Sequence, residues 1–167
     1  DIEEMPMRYA EGRDIIRGLV DKHQPAAVIC TGVSSIATDI PVERVAINVG
    51  SADGRVNFGY ERLDQALNPD GPTAYWSTLP VREIVEKIKD EGIPAHISNS
   101  AGTQGCNLVF YHLMDYIAEK NLGIPGGFIH VPRLPENAVG SRNPSMSLLD
   151  SAKAIEIAAD LTASKLP

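Results

Sequence analysis

Ala95 to Pro132 reads AHISNSAGTQGCNLVFYHLMDYIAEKNLGIPGGFIHVP. Ala95 to Ser98 is a short apolar strand pattern. A turn containing Gly102 and Gly105 follows, and Cys106 to Lys120 has the length and apolar content of a helix. Gly127 to Val131 is again a strand pattern, closed by Pro132. Strand, helix and strand in close succession read as part of an α/β fold with a mostly parallel sheet.

The flanking sequence extends this alternation. Val81 to Glu91 is predicted to be a helix with Ile84, Val85 and Ile88 on one face, Pro80 near its start and Gly92 at its stop. Further upstream, Gly50 to Gly71 is a polar excursion rich in Gly, Asp, Asn and Pro. Val42 to Val49 alternates, is rich in β-branched residues and is predicted to be one strand. Ala26 to Cys30 is a short buried-strand pattern. Arg8 to His23 is predicted to be a helix with a stripe of Ile15, Ile16, Leu19 and Val20, ended by Pro25. Downstream, Ser147 to Lys165 is an amphipathic helix. No internal repeat, low-complexity tract or linker interrupts the series, so residues 1–167 are expected to form a single domain.

Composition narrows the function classes. The chain is 43% apolar and 22% charged, ordinary for a globular protein. Its net charge of −7, with no basic stripe, argues against nucleic acids and anionic membrane surfaces as partners. No apolar run reaches membrane-spanning length, and the N-terminus lacks a charged-then-apolar signal. Two cysteines, Cys30 and Cys106, without metal-type spacing fit a reducing compartment, which points to the cytoplasm.

Cys106 is the principal chemical candidate. It stands where the strand pattern turns into the helix pattern, so backbone N–H groups and the positive end of a helix dipole face its thiol. Both favour the thiolate. Gly102 and Gly105 permit the tight turn and the convergence of N–H groups on a developing oxyanion. Most free cysteines are small buried hydrophobes, so the residues alone leave nucleophile and core cysteine both open. Cys30, mid-strand between Ile29 and Thr31, reads as core.

His130 closes a buried strand at the sheet edge where open α/β folds place their sites. It is suited to take the thiol proton and return it to a leaving amine. His96 and His112 are weaker candidates, and His23 reads as solvent-exposed. No local spacing supports a metal site. For the acid that would orient His130, Glu43 is notable as a charge inside a β-branched strand, where charges are usually paired or functional. Arg44 should point to the opposite face of that strand. Spacing does not choose Glu43 over Asp115 or Glu136. Phe110 and Tyr111, a turn into the helix, read as core.

Taken together, Val42 to Asn48, Gly71 to Pro80, Ser98 to Gly102 with Cys106-Asn107, and Gly127 to Pro132 resemble the pyrrolidone-carboxylate peptidases, the cysteine-type pyroglutamyl peptidase I family. The four stretches occur in the family's order and at compatible spacings, from the first helix to the last. The resemblance implies a three-layer α/β/α sandwich of the phosphorylase/hydrolase-like kind. It also implies a catalytic triad of Glu43, Cys106 and His130. The implied activity is removal of N-terminal pyroglutamyl residues from peptides through a thioester acyl-enzyme. No cofactor is implied, and family members are typically cytosolic tetramers, so a homo-oligomer is expected.

The chain also departs from the family pattern. It starts close to the family's first long helix, without the strand and Gly-Phe-x-Pro-Phe-Gly loop whose aromatic residues wall the substrate ring. That difference predicts a raw sheet edge or a hole in the core. Ser34-Ser35-Ile36-Ala37 occupies the place of a Gly-Arg pair. Asp53 stands where the family has an arginine near the thiol, with Arg55 close by. These departures suggest, as an alternative, a catalytically impaired homologue that binds a small ligand or partner. A phosphate- or nucleoside-binding enzyme is disfavoured by the lack of a phosphate-cradling glycine loop.

Overall fold

A computed structural model describes residues 1–5, 11–52 and 62–166. In chain order its elements are α1 (Gly12–His23), β1 (Val28–Val33), β2 (Ile40–Glu43), β3 (Val45–Ile47), β4 (Gly50–Ala52), β5 (Arg62–Gln65) and β6 (Ala74–Trp76). They continue with α2 (Val81–Asp90), β7 (Ala95–Ser98), α3 (Gly105–Glu119), β8 (Gly126–Val131), α4 (Pro135–Ala138) and α5 (Leu148–Ala163). Four strands form the central sheet in the order β1-β8-β2-β7. The β1/β8 and β2/β7 pairs are parallel, and β2 and β8 meet antiparallel, so the sheet is mixed but mostly parallel.

Alternation along β8 builds the layers. Phe128 joins a core with Ile16 and Val20 of α1 and Leu108 and Leu113 of α3. Its neighbour Ile129 joins a second core with Ile84 and Ile88 of α2 and Ala154 and Ile157 of α5. Successive side chains on a strand face opposite ways, so the two cores lie on opposite faces of one sheet. The result is the α/β/α sandwich. β8 is buried through its first five residues, whereas every residue of the edge strand β1 is half-buried or exposed.

The first part of the helix predicted from Arg8 falls on residues 8–10, outside the described residues; the described helix starts at Gly12. Gln24, in a left-handed conformation, caps α1 just before Pro25. The strand predicted at Ala26 to Cys30 starts later and runs on to Val33. The single strand predicted over Val42 to Val49 is two strands. Its first part stays in the central sheet as β2, while β3 turns away and pairs antiparallel with β6. Arg44 is the hinge: its N–H donates to the Ser98 carbonyl at 3.0 Å, and its own carbonyl accepts from Ser77 N at 2.9 Å. Its backbone therefore serves the central sheet and the β6 segment at once. The β3–β6 pair roofs α3, with Ala46 and Tyr75 packed in the same core, and α3 is buried on nearly all sides as a result. The polar excursion contains the β4–β5 pair, and its residues 53–61 lie outside the described residues. Among the described residues no helix is long and apolar enough to cross a membrane.

Candidate active site

Cys106 is the second residue of α3. The loop that delivers it from β7 contains Gly102 at φ +78°, a conformation that favours glycine because a Cβ is strained there. Ser100 Oγ accepts the Gly102 N–H at 3.2 Å, and the Thr103 carbonyl accepts the Ser51 N–H at 2.8 Å, so the loop is tied at both ends. The next residue, Asn107, is fully buried. Its amide donates to the carbonyls of Ile47 (2.9 Å) and Val49 (3.0 Å), and its Oδ1 accepts the Ile47 N–H (3.0 Å). The first turn of α3 is thereby pinned to the end of β3 and to the link that follows it.

Glu43 ends β2 and His130 stands next to the end of β8, strands that meet antiparallel at Glu43 and Phe128. His130 Nδ1 lies 2.8 Å from Glu43 Oε1, and both side chains are buried. The Cys106 thiol stands close enough to the same imidazole to raise its hold on a proton. Burial disfavours the imidazolium, but the interactions with Cys106 and Glu43 outweigh it and raise His130 to about 9. Phe128 packs its ring 4.8 Å from that of His130. All three polar side chains line a cleft of about 700 Å³, which continues past Ser34, Ile36 and Gln104.

The structure thus brings Glu43, Cys106 and His130 together, from positions far apart in the chain. It separates the other candidates from them. Asp115 is buried in α3 on Asn68 and Tyr75, and Glu136 is exposed on α4. His96 lines the same cleft but bonds Asp39 at 2.7 Å, and His112 is buried within α3. His23, expected to be solvent-exposed, is only half-exposed because it packs against the acidic N-terminal segment, 2.7 Å from Glu3. Cys30 faces the core, where burial pushes its thiol up to about 12. Phe110 and Tyr111 are core residues, as expected. Asp53 and Arg55 lie outside the described residues. Sequence reasoning passed over Gly32, which lies in register beside His130; a glycine inside a strand pattern is the signal that marks it. It also passed over the clamp formed by Asn107.

A thiol, an imidazole and a buried carboxylate in series, at a sheet edge and on a helix N-terminus, are the components of a cysteine hydrolase. Comparison with known proteins agrees in class and makes it specific. The profile of the pyroglutamyl peptidase family matches residues 1–165. A pyrrolidone-carboxylate peptidase of Bacillus subtilis is 43% identical over 157 residues, covering 94% of this chain and 73% of the relative. Among solved structures, pyroglutamyl peptidase I of Bacillus amyloliquefaciens superposes with a TM-score of 0.92 at 42% identity, over 97% of this chain and 79% of the other. The pyrrolidone carboxyl peptidase of Thermococcus litoralis does so with 0.91 at 35% identity, over 97% and 76%. The chain belongs to the pyroglutamyl peptidase family.

Proposed function

We propose that this protein is a cysteine exopeptidase that removes pyroglutamyl residues from peptide N-termini, with Cys106 as nucleophile, His130 as acid and base, and Glu43 as the residue that orients the imidazole. The observation that carries the reading is the convergence of Glu43, His130 and Cys106 on one cleft, with His130 Nδ1 2.8 Å from Glu43 Oε1. His130 takes the thiol proton as Cys106 Sγ attacks the carbonyl carbon that joins the pyroglutamyl residue to the next residue. The N–H of Cys106 and those of the preceding turn receive the oxyanion. His130 gives a proton to the departing amine as the C–N bond breaks and a thioester remains. Water then attacks the thioester, His130 takes its proton, and pyroglutamic acid leaves as the thiol is restored. Glu43 accepts a hydrogen bond from Nδ1 throughout, which leaves Nε2 to serve the thiol.

We read residues 1–167 as one working domain, since both cores share the central sheet. A homo-oligomer, a tetramer by family resemblance, is supported by the exposed apolar side chains of Trp76, Leu148 and Leu149. Two free thiols support the cytoplasm as its compartment.

The test is release of aminocoumarin from a pyroglutamyl-aminocoumarin substrate by the wild-type chain and by Cys106→Ser. The variant is expected to lose roughly a thousandfold or more in kcat while remaining folded. Equal release by both proteins, or none from a folded wild type, would reject the proposal.

A further inference from the structure

Gly32 occupies the interior of β1, where glycine weakens a strand because it has no side chain to pack. Its φ does not lie in the left-handed region, so backbone freedom is not the reason for glycine there. Space is. Gly32 pairs in register with His130, and parallel neighbours in register project to the same face of the sheet. That face carries the Phe128 ring, and the start of α3 packs on it. A Cβ at position 32 would lie 3.2 Å from Cys106 Sγ and 2.9 Å from Phe128 Cζ. The first distance obliges the thiol to retreat, and the second obliges the ring to move. Phe128 in turn packs on His130, so any shift is passed to the imidazole.

We propose that Gly32 is a positioning residue for the nucleophile: its bare Cα is the seat that lets Cys106 Sγ rest against the edge strand within reach of His130. The inference rests on the proposed triad but concerns a residue that takes no part in bond making. A methyl group at this position presses on the thiol itself, and its push on Phe128 is passed on to the imidazole.

The test compares Gly32→Ala with wild type, and the double variant Gly32→Ala/Phe128→Leu with Phe128→Leu alone. The Leu substitution removes the tighter clash, so the double variant keeps the question open if the single one fails to fold. Two readings are taken from each folded protein: kcat and KM on the pyroglutamyl-aminocoumarin substrate, and the titration of His130 by NMR. In both comparisons Gly32→Ala is expected to lower kcat roughly 10- to 100-fold with KM within about twofold, the signature of a misplaced reacting group. His130 should also titrate at lower pH, since its interaction with Cys106 is weakened. A kcat within about threefold of the matched parent, or a raised KM with kcat retained, would overturn the proposal. So would an unmoved His130 titration. A wild type that is folded but inactive would reject the peptidase reading, and the NMR comparison would still decide the role of Gly32.

Discussion

A histidine in water gives up its proton near neutrality, whereas His130 holds it to about 9 although burial alone would drive it the other way. The interactions with Cys106 and Glu43 make the difference. Because the folded value lies above the ordinary 6.5, the stabilisation of the folded chain by this charge is fully present below pH 6.5 and is lost as pH rises through about 9. The same window sets the alkaline limit of the imidazolium at His130. Glu43→Gln removes the carboxylate's attraction for the imidazolium and keeps the shape of the side chain. The alkaline limb of its kcat/KM profile should move toward lower pH, with a fall in kcat of roughly 10- to 1000-fold. A pH–rate profile checks both, and an unmoved alkaline limb would show that Glu43 does not support the charge. Sequence flagged Glu43 as a charge in a β-branched run but could not pair it with His130. The two stand 87 residues apart, and only strand order joins them.

At the scale of elements, what could be read from sequence depended on punctuation. β7, α3 and β8 were legible to within a residue because glycine, proline and polar turns bound each of them. The run from Val42 to Val49 was not legible as two strands, since β-branched residues suit both pieces and nothing local marks Arg44 as the point of departure. β6 was also missed. It is short, its Trp76 is exposed, and it exists because β3 needs a partner over α3. Asn107 shows what such a departure demands. β3 pairs with β6 on one side, and on the other the buried Asn107 amide supplies the donor and acceptor groups for Ile47 and Val49. Asn107→Ala would leave those backbone groups without partners, at a cost to folding of about 2–4 kcal/mol. Urea unfolding measures it, and a loss under about 1 kcal/mol would mean that solvent replaces the clamp.

Across the whole molecule, one buried carboxylate ties the outer segments to the central helix. Asp115 accepts from Asn68 Nδ2 at 3.1 and 3.2 Å and from the Tyr75 hydroxyl at 3.0 Å, and Arg17 of α1 lies 3.8 Å away. Asn68 is held in turn by Asn48, which accepts its N–H at 2.9 Å and donates to its carbonyl at 2.7 Å. The turn after β5, the strand β6 and the helix α1 therefore converge on α3, the helix that presents Cys106. Burial and the neighbouring Asp115 together push the Tyr75 phenol up to about 12, as expected where a hydroxyl donates to a carboxylate away from water. Removing Asp115 leaves the Asn68 amide and the Tyr75 hydroxyl without their acceptor, so Asp115→Ala should cost about 3–5 kcal/mol of stability, and Asp115→Asn less because an amide can still accept the Tyr75 hydroxyl. The effect on chemistry should be different. Nine residues of helix put Asp115 about 14 Å along the axis from Cys106, beyond contact with the imidazole. Below its lowered melting temperature, Asp115→Asn should therefore keep kcat within about threefold of wild type and leave the pH–rate profile in place, while Glu43→Gln loses both. Thermal unfolding and the pH–rate profile of the two variants, measured side by side, separate the acid that holds the molecule together from the acid that serves His130. A displaced alkaline limb in Asp115→Asn would reverse that assignment.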